Sequence, residues 1–366
     1  MDNLRHFRLT DPQLYPIAEA ILTGQRLTHA QGLVLFNTTD VLGLGRLARW
    51  VKEQHYGKTI TYVINRQINP TNLCVNNCLF CDFAAKPNDV HAYELTREQI
   101  LAALDEQVRE VHIVGGLHPY WRYEQYLALI QAIHQTYPAL QIKAWSAVEI
   151  DWFTRLTKRS IQDVLSDMQV AGVIALTGGG AEVFSTRVRQ ILCKQKIGAE
   201  RWLEIHRIAH AIGLKSNATL LYGHIETLEE RVDHLLRLRE LEDSAPGFQA
   251  FIPLPLQKGR SQIIARDSTP MEDLRMIAVS RLLLDNFAHI KAYWVMLGLS
   301  TATMALSFGA DDIDGTVGLE RIAHAASADS PVTLAQQTLL AMINSAGLNA
   351  QERDALHQQV SVKSVA

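Results

Sequence analysis

The sequence predicts an α/β protein organised as a (β/α)8 barrel with an N-terminal helical extension and C-terminal helices. Short apolar or β-branched runs alternate with amphipathic stretches eight times between residue 59 and about residue 320. Glycine clusters and ionisable residues, which pack poorly in strands, gather just after those runs. A chain of 366 residues, 48% hydrophobic and 20% charged, can fill one large barrel with additions.

Residues 1–58 form the expected extension: "DPQLYPIAEAILTGQ" and "THAQGLVLFNTTDVLGLGRLARWVKEQHYG" carry apolar residues at helical spacing. The barrel is expected over 59–325. Its candidate strands are "TITYVINRQI" (59–68), "VHIVGGL" (111–117), "QIKAWSAVEI" (141–150), "GVIALTGGG" (172–180), "KSNATLLYGH" (215–224), "FQAFIPL" (248–254), "HIKAYWVMLG" (289–298) and a short one near "GADDIDGTV" (309–317). Helical patterns such as "TREQILAALDEQVRE" separate them. The segment 326–366 reads as two closing helices. In such a barrel the chemistry lies in the loops after the strands. "NPTNLCVNNCLFCDF", "GGLHPYW", "SAVEID", "TGGGAE" and "YGHIE" all fall at that rim.

A net charge of −3 without a lysine or arginine block leaves no footprint for nucleic acid or anionic membrane. No apolar stretch is long enough to span a bilayer, and no leader pattern opens the chain. The expectation is a cytoplasmic protein acting on a small molecule. Its four cysteines suit reduced thiols better than a disulfide framework, because three of them, Cys74, Cys78 and Cys81, crowd into one loop.

CxxxCxxC allows three readings. Structural zinc wants four protein ligands, commonly as two separated pairs, and no second cysteine pair exists; His91 could complete a set, but its distance in sequence is unremarkable. A Cys78–Cys81 redox pair leaves Cys74 without a role. A [4Fe-4S] cluster on three thiolates, with one iron open to a ligand that is not protein, uses all three, and the loop's place after strand one favours it.

With Phe80 before the third cysteine, this loop resembles that of the radical SAM superfamily, which implies a radical SAM (β/α)8-type TIM barrel. The resemblance implies that the open iron binds S-adenosylmethionine (SAM) and that an electron, from a donor such as flavodoxin or ferredoxin, releases a 5′-deoxyadenosyl radical. It assigns Cys74, Cys78 and Cys81 to the cluster, Phe80 to the adenine, Gly115 and Gly116 of "GGLHP" to the methionine ammonium, and Glu182 of "GGGAE" to the ribose. The longer strings "INRQINPTNLC", "HIVGGLHP", "IKAWSAVEI", "GGGAEVF", "KSNATLLYGHIET" and "GADDIDGT" are similar to the aminofutalosine synthase family of menaquinone biosynthesis. That family joins SAM to 3-[(1-carboxyvinyl)oxy]benzoate as a transferase, giving 6-amino-6-deoxyfutalosine. Cyclic dehypoxanthinyl futalosine synthase and the deazaflavin (FO) synthase subunits share parts of these motifs; a non-catalytic zinc-binding barrel is the reading from another class. Arg66, Arg189 and His224 flank the rim strings and are candidates for the substrate's carboxylates. Thr177 stands where the family pattern has proline, and "PLPLQKGRS" (253–261) departs from the family's usual loop.

Other features read as scaffold. "GLGRLA" has dinucleotide-fingerprint spacing but no strand before it. His206 and His210, one helical turn apart, lack the glutamate of a zinc hydrolase motif. Cys193 reads as a small buried hydrophobe. His118, Glu149, "TGGG" and "DDID" each admit a structural role as a turn, a cap or an ion pair.

Overall fold

The computed structural model describes residues 7–260, 263–264 and 266–360. Helices Leu14–Leu22, His29–Asn37 and Val41–Tyr56 precede the sheet. The long helical pattern is cut at residues 38–40, where the Asp40 carboxylate accepts the Gly43 N–H at 2.8 Å and caps the next helix. The glycines of "GLGRLA" lie inside that helix, and a Cβ on Gly45 would sit 2.6 Å from the Phe308 ring.

Ten parallel strands follow: β1 (Thr59–Tyr62), β2 (Asn65–Ile68), β3 (Glu110–Ile113), β4 (Gln141–Ala144), β5 (Val173–Leu176), β6 (Lys215–Tyr222), β7 (Phe248–Pro255), β8 (His289–Ala292), β9 (Asp312–Ile313) and β10 (Asn349–Glu352). Their order is β10-β1-β9-β8-β7-β6-β5-β4-β3-β2. Since β1 and β2 are consecutive in the chain, the two ends of the curled sheet meet on residues 59–68. The Thr316 N–H donates to the Val63 carbonyl at 3.2 Å and the Gln67 N–H to Val317 at 2.9 Å. Helices including Tyr123–Thr136, Ala199–Ala211 and Leu228–Ser244 cover the outside, as the alternation predicts. Among the described residues no helix is long and apolar enough to cross a membrane.

Several expectations about elements change. The strands expected over 111–117 and 172–180 stop at Ile113 and Leu176, and that over 289–298 stops at Ala292, with Trp294–Leu297 a helical turn. The strand over 59–68 divides, because its first half pairs with β9 and β10 and its second with β3. The strand over 141–150 stops at Ala144. "SAVEI" instead starts helix Ala147–Thr157, with Ser146 as N-cap and Glu149 closing a capping box. The tail holds one closing helix, Gln336–Ser345, and then a strand where a second helix was expected. Gly347 turns the chain in the left-handed region (φ 73°), and β10 then covers the free edge of β1, from Thr59 opposite Asn349 to Tyr62 opposite Glu352.

Just beyond β10, the fully buried Arg353 reaches into the base of the barrel. Its guanidinium pairs with Asp312 and, at 3.4 Å, with Glu110; Lys143 stands 3.1 Å from Glu110, and Lys291 stands 3.5 Å from Asp312 and 3.3 Å from Asp314. Burial pushes the Glu110 carboxyl up, but Lys143 and Arg353 outweigh it and hold the group down at about 2. Asp311 pairs with Arg281 and His289. "DDID" is therefore largely part of the scaffold, with Asp314 alone of its acids on the central cavity.

Candidate active site

The loop after β2 is fixed before it reaches the cysteines. The Thr71 hydroxyl donates to the Tyr93 carbonyl and the Asn72 amide to the His91 carbonyl, both at 2.8 Å. Further contacts tie the loop to its surroundings: Val75 N–H to the Leu117 carbonyl at 3.0 Å, Leu79 N–H to the Leu192 carbonyl at 2.9 Å, and the Lys86 ammonium to the Cys74 carbonyl at 2.7 Å. So held, Cys74, Cys78 and Cys81 line one cavity of about 300 Å³ at the C-terminal rim of the barrel, together with Phe80, Gly115, Gly116 and Glu182.

Cys193 is buried beside this cavity but does not line it. His91 is exposed and also off the cavity, so a zinc site gains no fourth ligand from it. Among the described residues no three His, Cys, Asp or Glu side chains converge on a single ion. A cluster asks for something different, since each thiolate binds a different iron. Burial raises the Cys78 thiol to about 12. Burial also raises Cys81, although backbone N–H groups of Phe83 and Ala84 point at its sulfur and oppose that rise. Such N–H donors suit a thiolate that ligates a cluster. The donor set therefore fits a [4Fe-4S] group on three cysteines.

The glycine motif has a steric cause visible here. A Cβ on Gly116 would lie 2.1 Å from the Leu73 carbonyl oxygen, so only glycine lets the cysteine loop rest on the loop after β3. Gly115 donates its N–H to Glu149 Oε1 at 2.9 Å, and Glu149 Oε2 accepts both the N–H and the hydroxyl of Ser146 at 2.7 Å. Burial lifts this carboxyl to about 7. In "TGGG", Gly178 (φ +82°) passes so close to β6 that a Cβ would meet the Asn217 carbonyl oxygen at 2.2 Å.

Glu182 reaches the cavity with its carboxylate 2.5 Å from the Lys196 ammonium, which also sits 5.2 Å from the centre of the Phe80 ring. Burial works against the ammonium, but Glu182 and Cys78 outweigh it and raise Lys196 above its ordinary value. Sequence reasoning missed Lys196, because a lysine in "CKQK" looks like a solvated loop residue. It also missed His112 and Lys291, which line the cavity from β3 and β8. A signal existed for these two: each is an ionisable residue between two apolar neighbours in a short strand, where a side chain must point either outward or into the barrel.

The three substrate candidates lie off the cavity. Arg66 bonds the Asn65 carbonyl at 3.1 Å and the Thr316 hydroxyl at 3.2 Å, and stands 3.6 Å from Asp105. Buried Arg189 clamps the carbonyls of Ala181, at 2.6 Å, and Ile197. His224 is held by Glu226 at 2.7 Å and by the Leu221 carbonyl at 2.9 Å. Their donors are mostly engaged by the protein, the buried Arg189 Nε excepted, and nearness to the rim in sequence did not make them cavity groups. His118 closes a turn by accepting the N–H groups of Tyr120 and Trp121 at 3.1 and 3.0 Å. His206 and His210 share the Ser216 hydroxyl at 2.9 and 2.7 Å. Of the departing loop 255–262, positions 261 and 262 lie outside the described residues; Leu256 and Gln257 line the cavity.

A curled, barrel-like parallel sheet with three cysteines at its C-terminal rim is the architecture of a radical SAM enzyme. The sequence pattern of the radical SAM superfamily matches residues 68–238, and that of the CofH/MqnC C-terminal region matches 245–365. An aminodeoxyfutalosine synthase of Thermus thermophilus is 42% identical over 364 residues, covering 97% of this chain and 98% of the relative. One from Streptomyces coelicolor is 40% identical, covering 93% and 92%. A 5-amino-6-(D-ribitylamino)uracil--L-tyrosine 4-hydroxyphenyl transferase of Methanoculleus marisnigri is 38% identical, covering 87% and 89%. Among solved structures, methylornithine synthase superposes with a TM-score of 0.70 at 17% identity, over 91% of this chain and 96% of that one. The chain belongs to the radical SAM superfamily, in the family that includes the aminodeoxyfutalosine synthases, as the cysteine and glycine strings implied.

Proposed function

We propose that this enzyme is an aminodeoxyfutalosine synthase, adding the 5′-deoxyadenosyl group of SAM to the enol ether of 3-[(1-carboxyvinyl)oxy]benzoate. The observation that carries the reading is the near full-length identity of 42% and 40% to two proteins of that name. Cys74, Cys78 and Cys81 would hold the cluster, while Phe80, Gly115, Gly116 and Glu182 would contact SAM. When bound, the cluster and SAM supply a 5′-deoxyadenosyl radical, the electron coming from a carrier such as flavodoxin or ferredoxin. The chain's own part is to hold and enclose. Leu221, Ile252 and Leu254 give the cavity an apolar wall that suits an aromatic ring and keeps water away. Lys196 fixes the Glu182 carboxylate at the cysteine end.

The transferase at 38% identity favours a second reading, in which the radical abstracts hydrogen and a hydroxyphenyl group moves. SAM labelled on the 5′ carbon separates the two. With reduced enzyme and the enol ether, most label should appear in an adenosine–benzoate adduct that has lost one carboxyl group. Label almost wholly in 5′-deoxyadenosine, with the enol ether intact, would reject the synthase reading.

A further inference from the structure

One region of the cavity contains none of the residues assigned above to the cluster or to SAM. His112 of β3, Thr177 after β5, Asn217 of β6 and Lys291 of β8 line it from inside the barrel, below the cysteine rim. Thr177 and Asn217 lie on neighbouring strands, as the pairing of Leu176 with Ser216 sets them side by side. They are 2% and 1% exposed, yet the Thr177 hydroxyl and the Asn217 amide oxygen have no hydrogen-bond partner. A buried polar atom left unpaired costs roughly 1–3 kcal/mol, so two of them facing one cavity mark a place where a ligand completes the bonds. The Asn217 amide can present its NH2 there by turning about its terminal bond.

The charge around this floor is mixed, because the Asp314 carboxylate also lines the cavity beside Lys291, while the remaining polar groups are neutral. The Lys291 ammonium stands 3.3 Å from Asp314 and 3.5 Å from Asp312, longer than the roughly 2.7–2.9 Å of a tight charge-assisted bond. It therefore keeps donor capacity toward the cavity. His112 adds an imidazole N–H; burial holds that ring down at about 4, so it is neutral near pH 7. A hydroxyl, an amide, an imidazole and an ammonium, all able to donate, match a carboxylate.

We propose that these four residues form a carboxylate subsite that binds the benzoate carboxylate of the substrate. The proposal rests on the synthase reading, which supplies a ligand with one carboxylate on the ring and one on the enol ether. The reacting double bond must lie at the cysteine end, so the ring runs down the apolar wall and its own carboxylate is the one that reaches the floor. Thr177, where the family pattern has proline, contributes a donor that proline lacks.

The test measures binding to reconstituted protein in the presence of SAM, using two probes: 3-[(1-carboxyvinyl)oxy]benzoate and 2-phenoxyacrylate, which lacks the ring carboxylate. Thr177→Val keeps the shape and removes only an unpaired hydroxyl; Asn217→Ala is the second variant. Each should weaken the benzoate by about tenfold, the loss expected for one hydrogen bond to a charged group, and leave phenoxyacrylate binding nearly unchanged. Equal weakening of both probes, or unchanged benzoate affinity in both variants, would overturn the subsite. If the wild-type protein binds no benzoate and forms no adduct, the synthase reading falls and the subsite with it. Wild-type binding with indifferent variants removes the subsite alone.

Discussion

Replacing Gly116 by alanine should dislodge the cysteine loop while sparing the barrel. The added Cβ would lie 2.1 Å from the Leu73 carbonyl oxygen, 2.7 Å from its carbon and 3.0 Å from the Asn72 carbonyl carbon, all of them backbone. Ordinary carbon–oxygen contacts begin near 3.3 Å, so the oxygen must retreat by more than about 1 Å. It cannot do so freely, because Thr71 and Asn72 on one side and Val75 on the other are hydrogen-bonded to fixed backbone. Cys74 is the next residue after Leu73, and a site tolerates only about 0.5 Å of misplacement in its ligands. Cluster retention should fall at least about tenfold. The assay is anaerobic reconstitution with iron and sulfide, reading iron per chain and the visible charge-transfer band, with circular dichroism to confirm the fold. Gly179→Ala is the control: its Cβ would meet only Ser146 Cβ, at 3.7 Å, an ordinary contact, so it should load as wild type does. If Gly116→Ala keeps about four irons per chain, the steric account of the glycine motif is wrong.

Removing Cys74, Cys78 or Cys81 singly should abolish iron binding, whereas Cys193→Ser should retain it, since Cys193 does not line the cavity; equal iron loss in the Cys193 variant would refute the three-thiol assignment. Glu182→Gln should weaken SAM binding more than benzoate binding, because the amide loses both the charge paired with Lys196 at 2.5 Å and acceptor strength toward ribose hydroxyls. Calorimetry giving an unchanged SAM affinity would move Glu182 into the scaffold.

The barrel could be read from the sequence because strand and helix periods differ, and eight alternations leave few other architectures. Strand ends were harder. "WSAVEI" looks like a continuing apolar strand, yet Ser146 and Glu149 offer a helix cap whose local bonds win over the ladder. "NAQE" in β10 has no strand propensity of its own, and the free edge of β1 imposes the pairing. That the cysteines and glycines gather at one cavity was legible, because thiol chemistry and a missing Cβ are written at fixed spacing. Arg66, Arg189 and His224 do not line that cavity, since sequence position names the rim but not the direction in which a side chain points. Lys196, His112 and Lys291 acquire meaning only from partners far along the chain.

The pairing of β1 with β10, and the reach of Arg353 to Asp312 and Glu110, also bear on the order in which this molecule is made. Residue 59 finds its neighbour at 349, so the first strand to leave the ribosome is among the last to be completed. Until Arg353 emerges, Glu110 has Lys143 and Asp312 has Lys291 as their close cations, and closing the ring earlier would bury these carboxylates with one cation fewer. Translation therefore delivers the cysteine loop long before the barrel that shelters it can shut.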